Sequence, residues 1–145
     1  MNTQIALISA CLAMVILVLI VGLRMLFIRV SEMKEHRIHP QSIATSTKAA
    51  SRFQNVNAAD NFRNLFEVPV LFYALVAVAI ALGDVPTWQV VGAWSFVVLR
   101  YIHSFIQCTY NKVMHRFAVF ACSFFLIVAL WMLFVISLTG NKFAA

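Results

Sequence analysis

Charge is scarce in this sequence, and acid scarcest of all. Only 11% of its 145 residues are charged, and five of them are acidic. A water-soluble domain carries about a quarter charged residues, so this chain is far from that class. Cysteine is scarce too. Cys11, Cys108 and Cys122 include no CxxC pair, which removes the usual redox and zinc signatures and leaves inert packing as their expected role. His36 and His39 are spaced to share a helix face, but no carboxylate or Cys completes a metal set, so no metal centre is expected. There is no nucleic-acid recognition motif, low-complexity tract, internal repeat or soluble domain. One domain over residues 1–145 is what remains.

What is present is apolar length. The chain is 63% hydrophobic, with a mean hydropathy of +0.90. Four runs approach or exceed the roughly 20 residues that cross a bilayer: residues 5–28, 65–82 (entered through a polar helical turn or two), 88–109 and 117–138. The expected fold is an all-α membrane protein, a bundle of four transmembrane helices. The first run has no basic leader and no small-residue cleavage site at Gly22-Leu23-Arg24, so it is expected to stay as an anchor rather than act as a signal peptide. Its helix is expected to continue past the membrane through Glu32, Lys34 and Glu35. The small polar run beyond Pro40 reads as a mobile loop.

The basic residues are unevenly placed. Arg24, Arg29, Lys34, Arg37, Lys48, Arg52 and Arg63 fall between the first and second spans, and Lys112 and Arg116 between the third and fourth. The N-terminal stretch and Gly83-Asp84-Val85-Pro86-Thr87 have no Lys or Arg, and the C-terminal tail has Lys142 alone. Counting positive charge toward the inside puts both termini outside and the basic loops in the cytosol. The formal charge of +6 is explained by topology, with an unspecific contribution from anionic headgroups.

Polar residues within the spans are ordered. Asn57, Asp60, Asn61, Asn64 and Glu67 share one helix face of the second span, as do Arg100, His103, Ser104, Gln107, Tyr110 and Asn111 of the third. Such stripes should point into the bundle, away from lipid. Glu67 and Arg100 each lie about ten residues from the basic ends of their helices, roughly 15 Å in at 1.5 Å per residue. An intramembrane charge is costly and marks a functional site, and Glu67 is the expected partner of Arg100. The two stripes are expected to line a cavity open at the basic end, with Arg116 at its rim and Pro69 kinking the second helix.

At these stripes the sequence resembles the MAPEG family, membrane-associated proteins in eicosanoid and glutathione metabolism. The residues that carry the likeness are Arg63-Asn64-x-x-Glu67 with Pro69 close behind, Arg100-x-x-His103, and Arg116 opening the fourth span. The resemblance implies a homotrimer of four-helix bundles with glutathione bound between protomers near the cytosolic face. It implies binding roles for Arg63, Asn64, Glu67, Arg100, His103 and Tyr110, and a catalytic role for Arg116 beside the thiolate. Lipid-facing clefts would deliver a lipophilic electrophile to a transferase or peroxidase.

Three positions depart from the family pattern. Asp60 stands where an arginine often grips glutathione. Val68 and Gln107 replace the tyrosines of eicosanoid-forming members, and Phe117 follows Arg116 where the prostaglandin-forming branch has a serine. Eicosanoid synthase chemistry is therefore not expected; a divergent bacterial member of the inner membrane is, with glutathione, another small thiol or no thiol as its ligand. The alternatives are a non-catalytic lipid-binding or scaffold protein on the same fold and, with less support, a channel or transporter subunit, which should show paired broken helices.

Overall fold

The computed structural model describes residues 2–83 and 85–143, the side chains of residues 46, 50 and 140–143 excepted. Asp84, in the connection between the second and third spans, and the Lys142 side chain lie outside the described residues. Helix α1 spans Thr3–Glu35, α2 Ser46–Arg52, α3 Asn57–Asn64, α4 Pro69–Leu82, α5 Thr87–Cys108 and α6 Val113–Phe143, with a 3-10 turn at Pro40–Ile43. Among the described residues there is no strand. Four stretches are long and apolar enough to cross a membrane: Thr3–Glu35, Asn57–Leu82, Thr87–Cys108 and Val113–Thr139.

Helix α1 begins at Asn2, whose side chain accepts from the Gln4 N–H, and continues through the charged segment to Glu35 as expected. The polar run beyond Pro40 is not a plain loop. His39 accepts from the Gln41 N–H ahead of the 3-10 turn, and Thr45 accepts from the Lys48 N–H at the start of α2. The small polar side chains that read as loop formers act as helix caps, satisfying amide groups that a first turn leaves free. Glu32 fastens this strap to α1: its carboxylate accepts from the Gln54 and Asn55 N–H groups at 2.8 and 2.9 Å.

The second span is broken. Pro69 has no N–H and its ring crowds the carbonyl four residues back, at Leu65. Residues 65–68 accordingly form a turn between α3 and α4, closed by short-range bonds such as Phe66 N–H to the Arg63 carbonyl at 2.9 Å. The third span stops at Cys108, whose carbonyl accepts from Arg24 Nη2 of α1 at 2.7 Å. Asn111 then adopts φ of 45°, a left-handed conformation that asparagine tolerates. Tyr110 and Asn111 are thus in the connection and not on the helical stripe. At the opposite end Gly83, with φ of 77°, terminates α4.

The four long elements pack closely. Phe72 of α4 stacks on Phe96 of α5, with centroids 5.0 Å apart, beside Leu7 and Met14 of α1 and Ile127 and Phe134 of α6. A Cβ on Gly92 would stand 2.3 Å from Leu130 Cδ2, so the α5–α6 approach needs glycine there. Tyr101 donates to the Ala13 carbonyl of α1 at 2.8 Å, and Trp131 to the Leu71 carbonyl of α4 at 3.0 Å. The outer faces are apolar and exposed, as at Ile5, Ile8, Leu12 and Leu19 of α1, or Val91, Val98 and Phe105 of α5. In lipid such faces are not driven together, so close packing and hydrogen bonds hold the bundle.

Candidate functional site

The polar faces of α3 and α5 meet turn by turn. Asn111 donates to Asn57 Oδ1 at 2.9 Å. Asn61 accepts from Ser104 at 3.3 Å and donates to Cys108 Sγ at 3.4 Å. The side-chain amides of Asn64 and Gln107 meet at 3.1 Å. Positions 57, 61 and 64 share a face because three- and four-residue steps return to the same side of a helix. Asn61 and Ser104 are buried and mutually satisfied, so gluing α3 to α5 accounts for them. Each such bond contributes about 0.6 kcal/mol in a membrane.

Gluing does not account for the neighbouring side chains. A cavity of about 470 Å³ opens at the basic end of the bundle. Arg63, Asn64 and Glu67 line it from α3 and the turn after it, His103 and Gln107 from α5, and Arg116, Phe117 and Phe120 from α6, with Asp60 and Val113 completing the wall. The volume falls within the usual range for small-molecule sites, about 300–1,000 Å³. Arg116 is oriented before any ligand arrives: its Nη1 donates to Asn111 Oδ1 at 2.9 Å, and Asn111 is itself held by Asn57.

His103 joins the two sides. Its Nδ1 lies 3.2 Å from the Arg116 carbonyl and its Nε2 3.0 Å from the Gln107 side chain. The carbonyl can only accept, so Nδ1 carries the proton. Nε2 of a neutral ring must then accept, which turns the Gln107 amide nitrogen toward it and the Asn64 oxygen toward Gln107. Both amides can turn without losing a bond, since amide oxygen and nitrogen are assigned from such networks.

Of the residues picked out in the sequence, Arg63, Asn64, Glu67, His103 and Arg116 share this cavity. Arg100 does not line it. It is completely buried, donates from Nη2 to the Asn64 carbonyl at 3.1 Å, and leaves Nε and Nη1 without partners. Its guanidinium carbon is 5.8 Å from the ring of Phe120, a residue of the cavity wall. None of its hydrogen bonds reaches Glu67, which is exposed, so the expected ion pair is not formed within the chain. Glu67 lies in the turn that Pro69 imposes, and a continuous helix gives the wrong direction for it. Tyr110 is exposed and meets His115 Nδ1 at 3.3 Å, outside the cavity, because α5 has already ended.

Gln107 belongs to the site although it first stood out as a departure, and its spacing of four from His103 was the available signal. Asn111 acts through a turn that no periodicity reveals. Val68, the other tyrosine replacement, is buried and does not line the cavity.

Four spanning helices, with a charged, ligand-sized cavity between the second, third and fourth, define an integral multi-pass membrane protein with a built polar site at one end. The chain belongs to the MAPEG family, whose model matches residues 7–136 and so takes in every residue of that site. Membership makes it a membrane protein of the glutathione and eicosanoid metabolism type. No curated protein and no solved structure matches the chain.

Proposed function

We propose that the protein is a glutathione-dependent transferase or peroxidase acting on lipophilic electrophiles, with the thiol bound in the cavity between α3, α5 and α6. One observation carries the reading: a single cavity brings together two arginines, two carboxylates (Asp60 and Glu67) and neutral hydrogen-bonding groups. Glutathione has two carboxylates, an ammonium and a thiol. Arg63 suits a carboxylate and Glu67 the ammonium, while Asn64, Gln107 and His103 offer neutral hydrogen bonds. Arg116, held by Asn111, is the cation beside the sulfur. It favours the thiolate, and the thiol proton leaves to water at the open mouth. The sulfur lone pair then forms the new bond as the leaving group departs with its electron pair. That group is chloride from chlorodinitrobenzene, or an alkoxide (protonated to the alcohol) as a hydroperoxide O–O bond breaks. In the second case the resulting sulfenic acid is reduced by a second glutathione to the disulfide and water.

In this proposal the basic loops face the cytosol, both termini lie outside, and three copies assemble so that the open cavity is closed by a neighbour. The exposed alanines Ala74, Ala77 and Ala81 of α4 would permit close helix approach in such a trimer.

The test is binding and ionisation together. Glutathione should raise the melting temperature of detergent-purified protein, and bound thiolate should absorb in the ultraviolet near neutral pH. Arg116→Ala should fold normally, lose the thiolate signal and cut turnover of chlorodinitrobenzene or a lipid hydroperoxide at least tenfold, since a preorganised cation is commonly worth about 3 kcal/mol in a transition state. Wild-type protein with neither thiolate signal nor turnover would leave the non-catalytic scaffold reading.

A further inference from the structure

A second cavity, of about 150 Å³, lies on the other side of α3, between it, α1 and α2. Its walls are largely apolar, with Met25 and Ile28 from α1, Phe53 after α2, and Val56 and Ala59 leading into and along α3. Three charged side chains reach it: Arg29, Asp60 and Arg63. Arg29 is placed over the Phe53 ring, 5.7 Å from its centroid, and Phe53 is buried. The strap that closes the cavity is fixed by the Glu32 bonds to Gln54 and Asn55. It is therefore a built compartment, and helix-to-helix hydrogen bonds do not explain its charges.

Charge and shape together restrict the occupant. Two guanidiniums and one carboxylate leave a net formal charge of +1, which a monoanion neutralises and a dianion overshoots. An enclosed volume near 150 Å³ accepts a group about the size of benzene, enough for a head and its first carbons. Just past the end of α3, Phe66 is exposed and pairs at 5.0 Å with Phe62, which packs against α1 at Gly22, one turn before Met25 of the cavity wall. The apolar surface thus continues from the cavity toward the membrane interior, the direction in which a chain would leave.

We propose that this cavity binds a single-chain monoanionic amphiphile of the fatty-carboxylate class, its head between Arg29 and Arg63 and its chain over Phe66. The site lies apart from the sulfur position beside Arg116. Because Arg63 and Asp60 line both cavities, its occupant draws on a cation that also serves the larger one.

The probe is radiolabelled laurate added to the full-length protein in dodecyl maltoside. Saturable binding is expected, with methyl laurate and acetate failing to compete. Arg29→Gln should weaken it at least tenfold. Ala59→Leu, which fills the cavity without touching charge, should do the same, so a folding defect in one variant does not decide the outcome. Arg116→Ala, which alters only the larger cavity, should leave it unchanged. Failure of lysophosphatidylglycerol to displace laurate is expected, and displacement by it would show a phosphodiester head serving as well and overturn the carboxylate assignment. Equal competition by the methyl ester, full binding in both cavity variants, or loss in Arg116→Ala would overturn the proposal.

Discussion

Arg100 places a permanent cation in the bundle interior with two of its donor nitrogens unpartnered. A buried charge in that condition costs several kcal/mol, and exchanging it for a well-packed apolar side chain is often neutral or stabilising by about 1–4 kcal/mol. Arg100→Met should therefore keep or raise the stability of the isolated protein in detergent denaturation. Glu67→Gln, at an exposed turn, should change it by less than about 0.5 kcal/mol. The two should add in the double mutant, and a coupling of 1 kcal/mol or more would show that the charges meet after all. Asn111 offers a complementary case. Asn111→Gly keeps the left-handed backbone while removing the amide that holds Arg116, so the fold should survive while electrophile turnover falls toward that of Arg116→Ala. The shared cavity was legible at this scale because helical spacing forces Asn64 and Gln107 to meet. The places of Tyr110 and Asn111, and the separation of Glu67 from Arg100, were not, since each depends on a point where the helix has stopped and spacing no longer fixes direction.

Between elements, the break at Pro69 matters most. Pro69→Ala restores an N–H where the Leu65 carbonyl lacks a helical donor, so α3 and α4 should fuse and amide exchange across residues 66–69 should slow. Fusion would rotate Arg63 and Glu67 relative to the cavity, and glutathione-dependent stabilisation should shrink with it; unchanged exchange would mean that another contact makes the turn. The α5–α6 seam is a second test. Gly92→Ala forces Leu130 out of its buried position and should cost about 1–3 kcal/mol, with Leu130→Ala restoring part of the loss in the same chain. The four spans were readable from apolar length alone, the third to within one residue at each end, while the polar opening of the second hid its first eight residues. The short α2 was not, because Thr45 and His39 look the same in a sequence whether they cap a helix or sit in a loop. Nor did anything single out Arg24, one of several basic residues beside the first span, as the one that reaches the end of α5.

Taken as one body in a bilayer, the molecule has spans of unequal reach. Helix α1, at 33 residues, is roughly 50 Å long, whereas α4, at 14, is roughly 21 Å. The hydrocarbon layer is about 30 Å thick. Even with residues 65–68 added, the second span falls short, and the last turn of α3, with Asn61 and Arg63, must enter the membrane to complete it. Each additional ångström of thickness then draws polar α3 further into hydrocarbon, at a fraction of a kcal/mol per Å. The protein should consequently melt at a lower temperature in nanodiscs of long-chain lipids than in those of fourteen- to sixteen-carbon lipids, and a melting temperature indifferent to chain length would contradict this. A proline placed to shape a cavity thereby ties the site's integrity to the acyl composition of the surrounding membrane.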